Sequence, residues 1–475
     1  MRESRLLLPR ADLLIPATGA VATLFAAYLS VRMGAQIGFG LVLLVSLFVG
    51  SVIGFLVVPH VMLALTIPLF ALIPALKLFV NPKLGPLKDI VSLAAIVAAT
   101  AVLALERRPG RRRSLPDNGV LLAVAFLLGL YVVNVGGGHH VAWAQGVRLT
   151  GEPLLLLVAG FTLLNPRRTL RFALPALVAT ACFEALYGLF QQAVGPWKLQ
   201  SWGYSFAAQL RTSHGHLRSF GTFDDTFLYA AFLLFGLVAV VFWMRRGLLA
   251  SACGTLIAGG LAVAFVRTSL LILVVVAGLW IGRKGYVTSA VLIVAAAVAL
   301  SVSILVTNAG ATKTTSYTSN TSSLTLNGRT SAWKEALGAP SRWPFGQGVG
   351  KVGTAAQRAQ YALSAGAAGA KAPTRAVDSG YLAAIADVGL VGLGVLLALL
   401  GRLGALAAFG TRHGRDAGWV ALGLLAVLML DAVTRASFTG FPTAFLGLPL
   451  IGVALAAVKQ LDRLEEPGSG LRLRR

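Results

Sequence analysis

FLYAAFLLFGLVAVVFWMRR, residues 227–246, decides the class of fold. Its first eighteen residues carry no charge, and as helix at about 1.5 Å per residue they extend ~27 Å, close to the hydrocarbon thickness of a bilayer. A helix that is apolar all round belongs in a protein interior or in lipid. The run ends on Arg245-Arg246, and a basic doublet at the end of an apolar run marks a cytoplasmic border.

The same pattern repeats outward in both directions. Of the 475 residues, 57% are hydrophobic and only 12% charged, whereas a soluble domain carries about 25% charged residues. Much of the surface therefore faces lipid, where backbone polar groups must satisfy one another within helices. The expected fold is all-α and polytopic. Apolar runs fall near residues 13–31, 36–58, 60–80, 89–105, 119–136, 149–164, 173–195, 227–244, 248–265, 269–282, 287–306, 379–401, 417–434 and 438–458. This gives about 14 spans (12–14), the runs near 149, 248 and 269 being short or interrupted by glycine.

The net charge of +24 sorts by side. With the N-terminus in the cytoplasm, one side collects Arg2, Arg5 and Arg10, the cluster Arg107 to Arg113, Arg167, Arg168 and Arg171. The same side takes Arg245-Arg246, Arg283-Lys284, Arg402, Arg412 and Arg415, and the tail with Lys459, Arg463, Arg472, Arg474 and Arg475. Both termini are expected inside, with residues 13–31 an uncleaved first helix rather than a signal peptide. A basic inner face suits anionic lipid headgroups, so no nucleic-acid partner is expected.

Five stretches follow: N-terminal spans in 1–195, central spans in 196–306 led by an outer loop at 196–226, a large outer loop at 307–378, C-terminal spans in 379–458, and a basic tail at 459–475. The large loop opens with TKTTSYTSNTSS, too polar to order itself. It continues with two short helical candidates, TSAWKEAL from Thr330 and AAQRAQYALSA near 355–365. Between them Trp343-Pro-Phe-Gly-Gln-Gly-Val-Gly350 carries three alternate glycines, which permit a tight turn or a close backbone approach.

Soluble-enzyme signatures are missing: there is no phosphate-binding loop and no nucleophile elbow. Cys182 and Cys253 both lie in apolar runs and make no disulfide framework. His139-His140 point apart on a helix, and His214 and His216 lack an acidic partner, so no metal or other cofactor is expected. The informative residues are charges at the membrane edge: Arg218 before the eighth run, Arg267 between two runs, Arg329 in the large loop and Asp378 before the twelfth run. Each has a structural alternative. Arg267 serves equally as a snorkelling anchor, Arg329 as a solvated loop residue, and Asp378, Asp224 and Asp225 as helix caps. Glu184, Asp387 and Asp431 lie deeper, where they either pair with basic groups or relay protons.

Arg329-Thr-Ser-Ala-Trp333, Pro344-Phe-Gly346-Gln-Gly348-Val-Gly350, Asp378-Ser-Gly-Tyr381-Leu382 and Gly389-Leu-Val-Gly392 stand in the order found in the O-antigen polymerase and ligase superfamily. Arg218-Ser-Phe-Gly221 and Arg267-Thr-Ser resemble its upstream motifs. The resemblance covers roughly residues 200–455. It implies a GT-C-like glycosyltransferase of the bacterial plasma membrane with its cavity on the outer side. The implied donor is an oligosaccharide on a polyprenyl diphosphate, and the acceptor is a glycan or a second lipid-linked glycan. No metal is implied, and a chain-length regulator or a flippase is the implied partner.

In that frame Arg267 and Arg329 are catalytic groups gripping the diphosphate, and Asp378 takes the proton of the attacking hydroxyl. Arg218, Arg211, Trp333, Gly348 and Tyr381 line the substrate site. The sequence has Asp378-Ser379 where the family's ligases carry histidine and asparagine, which favours a polymerase over a ligase acting on lipid A core. The rival classes are a flippase or other transporter, against which stands the lack of a visible repeat, and a non-catalytic assembly partner.

Overall fold

The computed structural model describes residues 35–81, 84–105, 116–135, 140–162, 165–206, 209–213, 216–245, 247–285, 344–351, 355, 379–413 and 415–465. The expected spans at 13–31 and 287–306, most of the large loop and the end of the tail lie outside these residues.

The described chain is helical apart from one small hairpin. Its helices are α1 Ala35–Val57, α2 Pro59–Phe79, α3 Leu87–Leu105, α4 Asn118–Val133, α5 His140–Thr162, α6 Pro166–Val194, α7 Pro196–Ser201, α8 Thr226–Trp243, α9 Leu248–Ala264, α10 Arg267–Arg283, α11 Gly380–Arg412, α12 Asp416–Thr434 and α13 Thr443–Glu465. Seven of them, α2, α3, α6, α8, α11, α12 and α13, are long and apolar enough to cross a membrane. The chain is thus an all-α membrane-embedded protein.

The caps follow from the sequence. Asp117, Asn165 and Asp225 accept backbone N–H bonds at the starts of α4, α6 and α8, and Pro166 supplies the preset first-turn φ of α6. Ser379 caps α11 by accepting from Leu382 N. Asp224, expected as a second cap for α8, instead faces Lys77 at 3.4 Å.

α8 and α13 are buried almost all round and α12 largely so, which places them at the centre. Lipid offers no hydrophobic drive between helices, so close backbone approach must hold them. Gly160 of α5 and Gly452 of α13 meet in this way: a Cβ on Gly160 would press on the backbone of Gly452 and Val453.

Expected and observed bounds differ most at α5 and α11. α5 starts at His140 rather than 149, and carries Arg148 and Glu152 inside it. Arg148 reaches Asp89 of α3 at 2.5 Å and Glu152 at 3.2 Å, while Lys88 lies 2.5 Å from Asp89. These mutual charges let a broken apolar run stay helical. α11 continues to Arg412 through a break at Gly389, whose φ is 72°, a left-handed backbone that glycine tolerates.

The expected loop at 196–226 is a built element. It holds α7 and the antiparallel hairpin of Thr212–Ser213 with His216–Leu217. Leu199, Tyr204, Leu210, Leu217 and Phe220 form a small core of its own against Leu78 and Val194. The end of the bundle carrying this hairpin, together with the N-termini of α8, α10, α11 and α13, is called the hairpin face below.

Candidate functional site

Side chains on one stripe of α6 fix the segment that follows the hairpin. Gln192 donates to Leu217 O at 2.5 Å and to Ser219 Oγ at 2.9 Å. Gln191 accepts from Phe220 N and Gly221 N and donates to Gly221 O. About two turns deeper, Glu184 accepts from Thr222 N at 2.9 Å and from Thr222 Oγ1 at 2.5 Å. Positions 184, 188, 191 and 192 share a helical face, and Ser219 Oγ closes the set by donating to Gly188 O. Glu184 therefore holds a loop, and among the described residues it pairs with no basic group. Ser219 N also donates to Val263 O, which ties the segment to α9.

This scaffold sets Arg218 over Phe227, in the first turn of α8. The guanidinium carbon lies 5.0 Å from the ring centre, and that of Arg435 lies 5.6 Å from the same ring. Both are within the reach of cation–π attraction. Arg435 follows α12 and stands 3.4 Å from Asp431 Oδ2, which also accepts from Ser437 Oγ at 2.5 Å. Thr268 and Thr434 hydroxyls are 3.4 Å apart, so Arg267 and Arg435 each adjoin this contact in sequence. Arg267 is exposed at the start of α10. It is separated from α9 only by Phe265 and Val266; Phe265 has φ 50° and stacks on His216 at 6.1 Å.

The first turn of α11 packs against the same end of α12. Ser379 Oγ donates to Ala432 O at 3.3 Å, and Tyr381 Oη donates to Met429 O at 2.9 Å. The Tyr381 ring meets Phe438 edge-on at 5.3 Å. Arg218, Arg435, the 267–268 turn and the residues directly after Asp378 thus converge on the hairpin face.

Residues 344–351 fold back into the bundle. Gly346, Gly348 and Gly350 all have positive φ. A Cβ on Gly346 would stand 2.7–2.8 Å from the backbone of Ala386, Val388 and Gly389, so only glycine allows the approach. Gln347 N donates to Ala386 O at 2.7 Å and Val391 N to Pro344 O at 3.2 Å. Asn134 closes the motif: its Nδ2 donates at 2.6 Å to both Phe345 O and Asp387 O, and its carbonyl accepts from Val349 N.

Of the sequence-derived site residues, Arg218, Arg267 and Tyr381 lie at the same end of the bundle, on the hairpin face. Gly348 lies in the re-entrant segment, which grips α11 at Ala386, five residues or ~7.5 Å of helix from Tyr381. Arg211 sits at the base of the hairpin, its carbonyl accepting from Arg218 N. Arg329, Trp333 and Asp378 lie outside the described residues. Sequence reasoning missed Arg435, whose legible signal is its i,i+4 spacing from Asp431, and Gln191 and Gln192, adjacent amides inside an apolar helix. It also missed Lys88, which lies 4.7 Å from the Phe445 ring centre and 5.4 Å from that of Phe441. Among the described residues no three His, Cys, Asp or Glu side chains gather as metal ligands. Comparison with protein-family models and with curated proteins finds no match to this chain.

Proposed function

We propose that the chain is a metal-independent membrane glycosyltransferase that joins glycans carried on a polyprenyl diphosphate at the outer face of the bacterial plasma membrane. The observation that carries this reading is the meeting of Arg218 and Arg435 on Phe227, Arg435 following by three residues the Ala432 carbonyl that Ser379 of the α11 cap bonds. A diphosphate leaving group gains negative charge as its bond to the anomeric carbon breaks. Guanidinium forks match its oxygens with short charge-assisted hydrogen bonds. Arg218, Arg435 and Arg267 are assigned to supply such forks, and Arg329, outside the described residues, is assigned the same role from its motif.

Asp378 immediately precedes the site in sequence. The N-cap of α11 is Ser379, so the capping role is filled by its neighbour, and Asp378 is assigned the proton of the attacking sugar hydroxyl. General-base help of this kind is worth ~10²–10⁴-fold in rate. A new bond forms from the acceptor oxygen to the anomeric carbon, the bond to the diphosphate breaks, and the configuration inverts.

The orientation rests on charge. Arg245, Arg283, Lys284, Arg412 and Arg415 lie at the ends of helices opposite the hairpin face, where the positive-inside pattern puts the cytoplasm. A lipid-linked-glycan flippase is the second reading, favoured by the Arg148–Glu152 pair inside α5. The deciding experiment incubates the protein in lipid with a polyprenyl-diphosphate oligosaccharide. A ladder of longer lipid-linked glycans identifies a polymerase, and a single transfer to another acceptor identifies a ligase. Lipid-linked sugar crossing the bilayer without any new glycosidic bond replaces the enzyme with the flippase.

A further inference from the structure

Most acids inside the helices have a partner. Glu184 holds Thr222, Asp431 faces Arg435 and Ser437, and Asp89 and Glu152 share Arg148. Asp387 on α11 differs. Oδ1 of its carboxylate is buried with no hydrogen-bond partner among the described residues. Among the described residues no Lys or Arg pairs with it. Asp387 lines a cavity of about 50 Å³ between α4, α5 and α11 whose wall also holds Tyr131 and Thr150, and which extends to Gly380 and Phe438 beneath the candidate site. One water needs roughly 10–15 Å³ of such space, so the cavity admits a small hydrated guest and no sugar.

An ionised carboxylate without a counter-charge in this setting is costly. Two chemistries remove the cost: a proton on the carboxylate, or a small hard cation held by oxygen atoms. Both need what the cavity presents, one carboxylate and two hydroxyls within apolar walls. Tyr131 and Thr150 stand on the wall of the same cavity as Asp387. We propose that Asp387, Tyr131 and Thr150 form a site for one monovalent cation, a proton or a sodium ion, inside the helix bundle.

The surroundings limit what else contributes. Titratable groups on the elements packed against α11 are Tyr131 on α4, His140, Arg148 and Glu152 on α5, Asp416 and Asp431 on α12, the charged residues from Lys459 onward on α13, and Lys351 at the end of the re-entrant segment; Asp431 is taken up by Arg435 and Ser437. Arg148 and Glu152 are engaged with each other, and His140 and Lys351 are exposed. Asp387 also stands where the fold is articulated: its carbonyl accepts from Asn134, and the helix break at Gly389 follows two residues later. Cation occupancy thus bears on how the re-entrant segment seats. Cation binding here does not depend on glycosyl transfer.

The test is thermal unfolding of the purified full-length protein in detergent, with sodium chloride exchanged for choline chloride at equal ionic strength, at about pH 5.5 and about pH 8.5. In choline, the wild type unfolds at a lower temperature at the higher pH, and Asp387→Asn loses this difference. If sodium restores the wild type at the higher pH, sodium is the guest; if it does not, the guest is the proton. Identical responses of wild type and Asp387→Asn to pH and to sodium overturn the site. Should Asp387→Asn fail to fold, Thr150→Val shifts the pH or sodium midpoint if the site exists, and an unchanged midpoint overturns it.

Discussion

Arg218 and Arg435 reach the same ring from different parts of the chain, their guanidinium carbons 5.0 and 5.6 Å from the centre of Phe227. Neither position is arbitrary. Arg218 is aimed by the amides of Gln191 and Gln192 behind its loop, and Arg435 by Asp431 one helical turn earlier. One aromatic face thereby holds two planar cations.

Removing one fork is therefore measurable as binding. A hydrogen bond to a charged group is worth about 1.5–3 kcal/mol, so Arg435→Ala weakens binding of undecaprenyl diphosphate roughly tenfold to a hundredfold. Arg435→Lys recovers only part of the loss, because a point charge lacks the bidentate geometry. Titration calorimetry in detergent reads both.

The re-entrant segment depends on Gly346. Its φ of 78° and its approach to the backbone of α11 leave no room for a side chain. Gly346→Val displaces residues 344–351, and trypsin then cuts after Lys351 faster than in the wild type. Equal cleavage rates contradict the close packing.

Asp117 and Arg402 predict an acid-side effect away from the site. The Arg402 guanidinium, 2.7 and 3.0 Å from the two Asp117 oxygens, holds this carboxyl below its ordinary value. A depressed carboxyl stabilises the fold above the ordinary carboxylate range, and the gain is lost as pH falls through the lowered value. The pair is half-exposed, so the effect is small and salt-sensitive. Asp117→Asn keeps a competent helix cap but flattens the fall of melting temperature below about pH 4.

Sidedness is checked by cysteine labelling in cells. Trp202→Cys on the hairpin side reacts with a membrane-impermeant maleimide added outside, and Arg245→Cys reacts only after the membrane is opened. The reverse pattern inverts the protein and removes the outer-face site.

Much of the architecture is legible as hydropathy. The run at 227–244 becomes Thr226–Trp243, and 417–434 becomes Asp416–Thr434, because an uninterrupted apolar segment leaves the backbone little choice but helix. Reading fails where tertiary partners replace hydrophobicity: α5 starts nine residues early because Asp89 and Lys88 complete the charges of Arg148 and Glu152. The site is legible in part. Arg218 and Tyr381 stand in recognisable motifs, whereas Arg435 lies in a plain turn, TRASFTG, and gains meaning only when Phe227 arrives beneath it. Glu184, Asp387 and Asp431 look alike in sequence. Only the fold tells apart a loop anchor, an orphan oxygen on a cavity, and a partner for arginine.

Product length is the most direct measure of the proposed chemistry. The wild type and the variants Arg218→Ala, Arg435→Ala, Arg329→Ala and Asp378→Asn are incubated in lipid with a polyprenyl-diphosphate oligosaccharide, and the lipid-linked glycans are sized. Arginine-held diphosphate and an aspartate base predict a ladder in the wild type, ~10²-fold or more slower in each variant. Ladders of equal rate in the wild type and the Arg218 and Arg435 variants would contradict it.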